Sequence, residues 1–558
     1  MLEKTFLRIG FTALVVSLFF IDASVMSAAN SPGVALTGQV SSQEEGRMEG
    51  VLVSAKRESS TVTTTVMSDA QGRYSFPSSK LEPGRYSLRI RAVGYELDNP
   101  ESAEVKSENT TQLDLKLRKA QDVAAQLSNG EWLLSFPGTN EQKQALLSCV
   151  SCHTVERIAR SHYSAEEFIP VLKRMRNYAQ GSSPMHRQVR PGVREPSTNQ
   201  LQQMTKFAQY LSTINLSKVA KWEYPLKTLP RPKGKSTQVM ITEYDLPRPE
   251  AMPHDAAIDA QGMVWYSDFG SQYLGKLDPK TAKAVEYAVP VTKPGAPAGA
   301  LDLRFDPDQN VWIGMMYQGS IAKFDRKTEK FQTWSAPKFM ENDEARLAMV
   351  DPVHINLDGK VWIGGDDEFR LDVKPGEWST VDYSRGLPKD GPPADRLGSY
   401  GVISDSKNNF YGTNFGGQYI IRIDAKTLNV TPFPTPTPNS APRRGHMDPQ
   451  DRLWFAEYRG NMIGMFDTKT ERTREWAMPT EWTNPYDAIL DKDGYAWTGG
   501  MSNDLVARLN TKTDEFVEYL LPRTTNIRRV NIDYSTNRPT LWIGNNLGAA
   551  IIKIESLQ

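Results

Sequence analysis

The alternation of apolar and polar positions changes character three times along the 558-residue chain. Ile9 to Ile21 form a mainly apolar run of thirteen residues, preceded by Lys4 and Arg8 and closed by Asp22. From 33 to 118 the period is two, in short runs such as Val51-Leu52-Val53, Arg73-Tyr74-Ser75-Phe76 and Tyr86-Ser87-Leu88-Arg89-Ile90, which predict strands. Between about 130 and 217 it lengthens to that of a helix. Phe168, Val171, Leu172 and Met175 fall at i, i+3, i+4 and i+7, after a helix start at Ser164-Ala165-Glu166-Glu167. A last helix is expected from about Asn199, with Leu201, Met204, Ala208 and Leu211 on one side.

From 238 to 558 short strands return and repeat. Units such as Ile258-Asp259-Ala260-Gln261-Gly262-Met263-Val264-Trp265 recur, with aromatics at Trp265, Trp312, Trp362, Tyr411, Trp454, Trp497 and Trp542, spaced 47, 50, 49, 43, 43 and 45 residues apart. Four short strands per unit at this period predict a seven-bladed β-propeller. Ile241 to Pro247 resembles a unit-ending strand, and the last unit lacks one. The expectation is that the first segment completes the last blade and closes the ring. The chain is thus mainly β and multidomain: an immunoglobulin-like β-sandwich at 33–118, a small α-helical domain at 130–217 and a propeller at 238–558.

Composition narrows the partners. The chain carries 66 basic and 66 acidic side chains, so nothing points to nucleic acid. The basic start, the apolar run and Ser27-Ala28-Ala29 predict a secretion signal over 1–29, with cleavage favoured over a retained anchor, because thirteen residues are short for a span. No other segment is apolar enough to cross a bilayer. A periplasmic or secreted protein follows.

The only two cysteines stand in Cys149-Val150-Ser151-Cys152-His153. C-x-x-C-H is the attachment signature of c-type haem, with thioethers to Cys149 and Cys152 and His153 on the iron. A disulfide is the other reading of two exported cysteines, but the helical context and the following histidine favour haem. Met175 is the expected sixth ligand, so the iron ligands are His153 and Met175; Met185, His186 and His162 are rivals. Arg174, Arg176, Arg187, Arg190 and Arg194 give this domain a basic surface, either simply solvated or guiding an acidic periplasmic redox partner.

In each blade the first strand lines the central channel, so polar residues there converge. Three of the six histidines, His254, His354 and His446, are placed on such strands. Asp268, Asp302, Tyr400, Arg443, Arg444, Glu457, Tyr486, Asp487 and Arg529 are expected near equivalent levels. Histidine suits a general base near neutral pH, arginine an oxyanion partner, and a divalent metal would act as Lewis acid. The catalytic candidates are His254, Asp268, His354, His446, Glu457 and Arg444.

Three resemblances add to this. Ser68 to Phe76 and Leu81 to Tyr86, running on to Gly94-Tyr95, resemble the carboxypeptidase regulatory-like domain, an immunoglobulin-like sandwich that serves as an accessory or carbohydrate-binding-like module. The helix, attachment site, middle helix and terminal helix resemble a mono-haem cytochrome c. The repeat, with Trp454-Phe455-Ala456-Glu457, Ile463-Gly464-Met465-Phe466, Trp265-Tyr266-Ser267-Asp268 and Leu274-Gly275-Lys276-Leu277, resembles the streptogramin B (virginiamycin B) lyase family. That likeness implies elimination from a cyclic depsipeptide with Mg2+ and central histidine and acid residues. Pro253-His254 keeps one of the family's Pro-His pairs, whereas Pro485-Tyr486 and Pro442-Arg443 depart from it. The expectation is a c-type haem protein whose propeller channel binds a small-molecule, glycan or peptide-like substrate, with electrons moving through the haem. The alternatives are a lyase with an accessory haem, or a non-catalytic electron-transfer or binding protein.

Overall fold

The computed structural model describes residues 33–219, 221–338 and 346–558. The secretion-signal expectation over 1–29 lies outside them. No helix among the described residues is long and apolar enough to cross a membrane.

The N-terminal unit is an immunoglobulin-like sandwich. In one sheet, Val34–Ser42 pairs antiparallel with Arg73–Pro77 and parallel with Leu115–Lys119. In the other, Leu52–Arg57 lies between Val62–Met67 and Gly84–Arg91. Period two places Tyr74 and Phe76 inward from one sheet and Tyr86 and Leu88 from the other, into a shared core. Asp69 shapes the turn between Val62–Met67 and Arg73–Pro77 by accepting the backbone N–H groups of Gln71 and Arg73.

The helical unit comprises Asn129–Ser135, Asn140–Ala145, a 3-10 turn Leu146–Ser151, Glu156–Ala159, Ala165–Arg176 and Thr198–Ile214. Four of these helices open with reciprocal capping boxes, in the pairs Ser128/Glu131, Thr139/Gln142, Ser164/Glu167 and Ser197/Gln200. Each satisfies two backbone donors that a helix start leaves unpaired. The helices pack around Trp132, Leu146, Val150, Phe168 and Leu211.

Seven four-stranded antiparallel sheets make up the C-terminal region. Six have their strands in chain order, from Pro253–Ile258 in the first to Phe516–Leu520 in the sixth. The seventh is built from Val530–Asp533, Thr540–Asn545 and Ala550–Ser556, completed by Val239–Asp245 from the start of the region. Innermost strands of successive sheets touch all the way round, the seventh against the first, which closes the ring of a β-propeller.

Val239–Asp245 has a second partner. On its far edge it pairs antiparallel with Val62–Met67 of the sandwich, with Ile241 opposite Thr65 and Thr242 opposite Thr64. Seventh blade and sandwich sheet are therefore one continuous eight-stranded sheet.

The repeated aspartate–tryptophan spacing has a structural cause. Asp259, Asp448 and Asp491 each end an innermost strand and bond backbone N–H groups two and four residues on. The same carboxylates accept the indole N–H six residues on, from Trp265 at 2.8 Å, Trp454 at 3.0 Å and Trp497 at 2.8 Å. Blade three departs from this pattern. Its innermost strand is Leu347–Asp351, and Ile355–Asp358 forms a short helical turn. The Trp362 indole bonds the Asn408 carbonyl instead.

Candidate functional site

The Cys149-Val150-Ser151-Cys152-His153 run lies on the 3-10 turn and its exit. Cys149 and Cys152 are free thiols, partly accessible at the wall of a large cleft. Burial pushes the Cys149 thiol up to about 11 and raises that of Cys152. This is the reverse of a reactive C-x-x-C thiolate, whose pKa is depressed. His153 turns Nδ1 to the Thr154 carbonyl at 2.8 Å, and burial lowers its pKa. A neutral ring that donates from Nδ1 keeps the Nε2 lone pair for a metal.

The cleft, about 1520 Å³, runs between the helical unit and one face of the propeller. Its helical wall carries Cys149, Cys152, His153, His162, Phe168 and Met175; its propeller floor carries Phe269, Tyr400, Phe415, Arg443, Tyr458 and Arg528. Pockets for small ligands run to roughly 1000 Å³, so this one has room for a large planar group and more. Met175 is 40 % exposed, turned to the cleft and not into the helix core, whereas Met185 and His186 do not line it. The lining is strongly basic, with eight arginines against one acid, Glu167.

The propeller holds this wall in register. Asn526 donates to the Val150 carbonyl at 2.7 Å and Arg528 to the Ser151 carbonyl at 3.0 Å, so two backbone groups of the attachment loop are fixed from the seventh blade. Asn526 and Arg528 were not among the expected site residues, because only ring closure brings them beside residue 150.

The central channel is filled. Arg444 makes a two-pronged ion pair with Asp255, at 2.8 and 2.9 Å, and also pairs with Asp302. Arg529 bridges Asp302 at 2.7 Å and Asp255 at 3.3 Å, and Arg304 reaches Asp302 at 3.4 Å. Backbone N–H groups of Leu303, Val350 and Val530 complete the shells of Asp255, Asp302 and Asp487. Arg444, Asp255 and Asp302 are all essentially inaccessible. Such networks tie blades together across the channel.

The expected catalytic residues separate. His254 is fully buried, with Nδ1 at 2.7 Å from Asp255 and Nε2 at 3.2 Å from the Tyr486 hydroxyl, which also meets that of Tyr400. Burial brings its pKa down to about 3, so it is neutral and does not titrate near pH 7 as a general base should. His446 is bonded to Asp487 at 2.9 Å, and burial lowers it too. His354 is not on an innermost strand; it begins the short helical turn after Asp351, and the shifted register of blade three misplaced it.

Asp268 and Glu457 end second strands and point into their blades; their successors Phe269 and Tyr458 face the cleft. Asp268 pairs with Arg248 and caps the N–H groups of Met252 and Gly270. Glu457 has no such cation. Burial, with repulsion from Glu475, drives it up to about 9, so it is a neutral acid inside the blade. None of the six expected catalytic residues lines the cleft. Among the described residues no three His, Cys, Asp or Glu side chains group as a metal site.

Residues 35–118 match the model of the carboxypeptidase regulatory-like domain. No curated protein sequence matches the chain. Among solved structures, the chain is similar to a streptogramin B lyase at 20% identity and TM-score 0.48, over 58% of this chain and 99% of that one. It is similar to virginiamycin B lyase from Staphylococcus aureus at 20% identity and TM-score 0.47, over 57% and 99%. YCF48 bound to D1 peptide shares 10% identity at TM-score 0.42, over 56% and 93%.

Proposed function

We propose that the protein is an exported c-type haem protein in which the haem, attached through Cys149 and Cys152, occupies the cleft against the propeller face and exchanges electrons with a partner or ligand there. One observation carries the reading: the attachment run and the propeller floor are opposite walls of a single cleft.

The residues present fit the group. Two thiols kept protonated flank the cleft, His153 has a free Nε2, and the cavity is large and basic enough for a planar anionic prosthetic group. When bound, haem supplies one-electron redox chemistry. His153 and Met175 would hold the iron, with His162 the rival of Met175 on the same wall. Asn526 and Arg528 orient the attachment loop, and the aromatic floor excludes water. On this reading the propeller is the floor of a redox site and contributes no elimination machinery, since the lyase-type candidates are dispersed inside blades or locked in the channel.

Expression in a host with cytochrome c maturation tests this. A Soret band and a covalent haem mass on the purified protein are expected, both lost in the C149A/C152A double variant. A wild-type protein of unmodified mass, without Soret absorbance, overturns the proposal.

A further inference from the structure

The buried arginines fall into two groups that differ in how their charge is met. In the channel, Arg444, Arg529 and Arg304 are each within ion-pair distance of Asp255 or Asp302. At the cleft floor Arg443 and Arg528 have no carboxylate partner among the described residues. Arg443 is 8 % exposed, and its guanidinium lies 3.8 Å from the ring centre of Tyr486, 4.4 Å from Tyr458, 4.6 Å from Phe415 and 5.2 Å from Tyr400. Its Nη1 lies 3.5 Å from the Met501 sulfur, its Nε has no hydrogen-bond partner, and the neutral hydroxyls of Tyr400 and Tyr458 are its other polar neighbours. Arg528 stands 5.6 Å from the same Tyr486 ring and bonds only the Ser151 carbonyl and the Asn526 amide oxygen.

Two guanidiniums share one aromatic ring in a desolvated floor. Ring faces offset part of their charge, but an uncompensated buried pair of like charges is costly. Planar forks of this kind match carboxylates.

We infer that Arg443 and Arg528 form a carboxylate site on the propeller face. Resting on the haem reading above, it takes either the propionates of the prosthetic group or a free dicarboxylate ligand bound beside it. Tyr400 and Phe415 wall the site, and the neighbouring attachment loop places any carboxylate here close to the redox centre.

The full-length haem-loaded protein distinguishes the two sources. Succinate binding is measured by calorimetry at fixed ionic strength, and the haem midpoint potential is measured without succinate, for wild type, R443M, R443K and R528M. If the ligand is free, wild type binds succinate, R443M loses about tenfold or more in affinity, R443K recovers part, and the potential of R443M stays put. If the propionates occupy the site, succinate does not bind and the potential moves in R443M and R528M but less in R443K. Succinate binding that is indifferent to all three substitutions overturns the site, as does absent binding with unmoved potentials. R443K and R528M keep the test valid if R443M fails to fold. A wild-type protein without Soret absorbance removes the haem reading alone, because the succinate arm still reports on the two arginines.

Discussion

At the scale of single residues, burial without a partner sets the chemistry. Glu457 and Asp268 occupy equivalent places in their blades, yet only Asp268 has an arginine, Arg248. Burial first, then repulsion from Glu475, with no arginine to offset them, pushes the Glu457 carboxyl up to about 9. In the unfolded chain the same carboxyl ionises near 4.5. Across that window the folded state binds more protons, so this residue lowers stability as pH rises. Glu457→Gln, which cannot ionise, is therefore expected to stabilise the protein at pH 8 by roughly 2–3 kcal/mol, a gain that disappears near pH 4.5. Denaturant melts at the two pH values check it; an equal effect at both contradicts the assignment. The C-x-x-C-H run could be located from sequence alone, since its spacing is local. The state of His254 was not. Its neutrality follows from burial, against the opposing pull of Asp255, among residues such as Tyr486 that lie 232 positions away in sequence.

At the scale of elements, the turn carboxylates repay their repetition. Asp491 accepts two backbone N–H groups and the Trp497 indole, all buried or half-buried. Asp491→Ala strands these donors and is expected to cost about 2–4 kcal/mol, at 1–3 kcal/mol for a buried donor left unpaired. Trp497→Phe removes one donor together with its partner's task and should cost less. Thermal unfolding of the two variants orders them; a neutral Asp491→Ala result refutes the account. The strand-turn-tryptophan units were readable because this bonding is confined to seven residues. Blade three was misread for the same reason. Its Asn356-Leu357-Asp358-Gly359 stretch imitates the turn in sequence, but Ile355–Asp358 coils into a helical turn, and the Trp362 indole turns to Asn408 in the next blade.

At the scale of the whole molecule, the three regions are not beads on a string. The sandwich extends a blade, and the helical unit is fixed to the propeller by Asn526, Arg528 and a bond from the Gly130 N–H to the Ser502 carbonyl. None of these contacts has a local sequence signal, which is why domain order was legible and the shared cleft was not. A proline at Thr64, which is paired on one side with Ala55 and on the other with Thr242, removes a ladder donor from the middle of the eight-stranded sheet. Thr64→Pro is expected to split a single calorimetric transition into two, with the sandwich melting first. One unchanged transition would show that the continuous sheet does not couple the units.

That continuous sheet also bears on how the ring is made. Val239–Asp245 emerges during synthesis long before Ala550–Ser556, its partner in the closing blade. Until then an ordinary propeller would leave such a segment with both flanks bare and prone to stick to other chains. Here the N-terminal module, which is synthesised first, offers Val62–Met67 as a partner for one flank. The nascent seam is thereby kept extended and in register until the last strand arrives to lock it, which makes the sandwich an intramolecular assembly guide as well as an appendage.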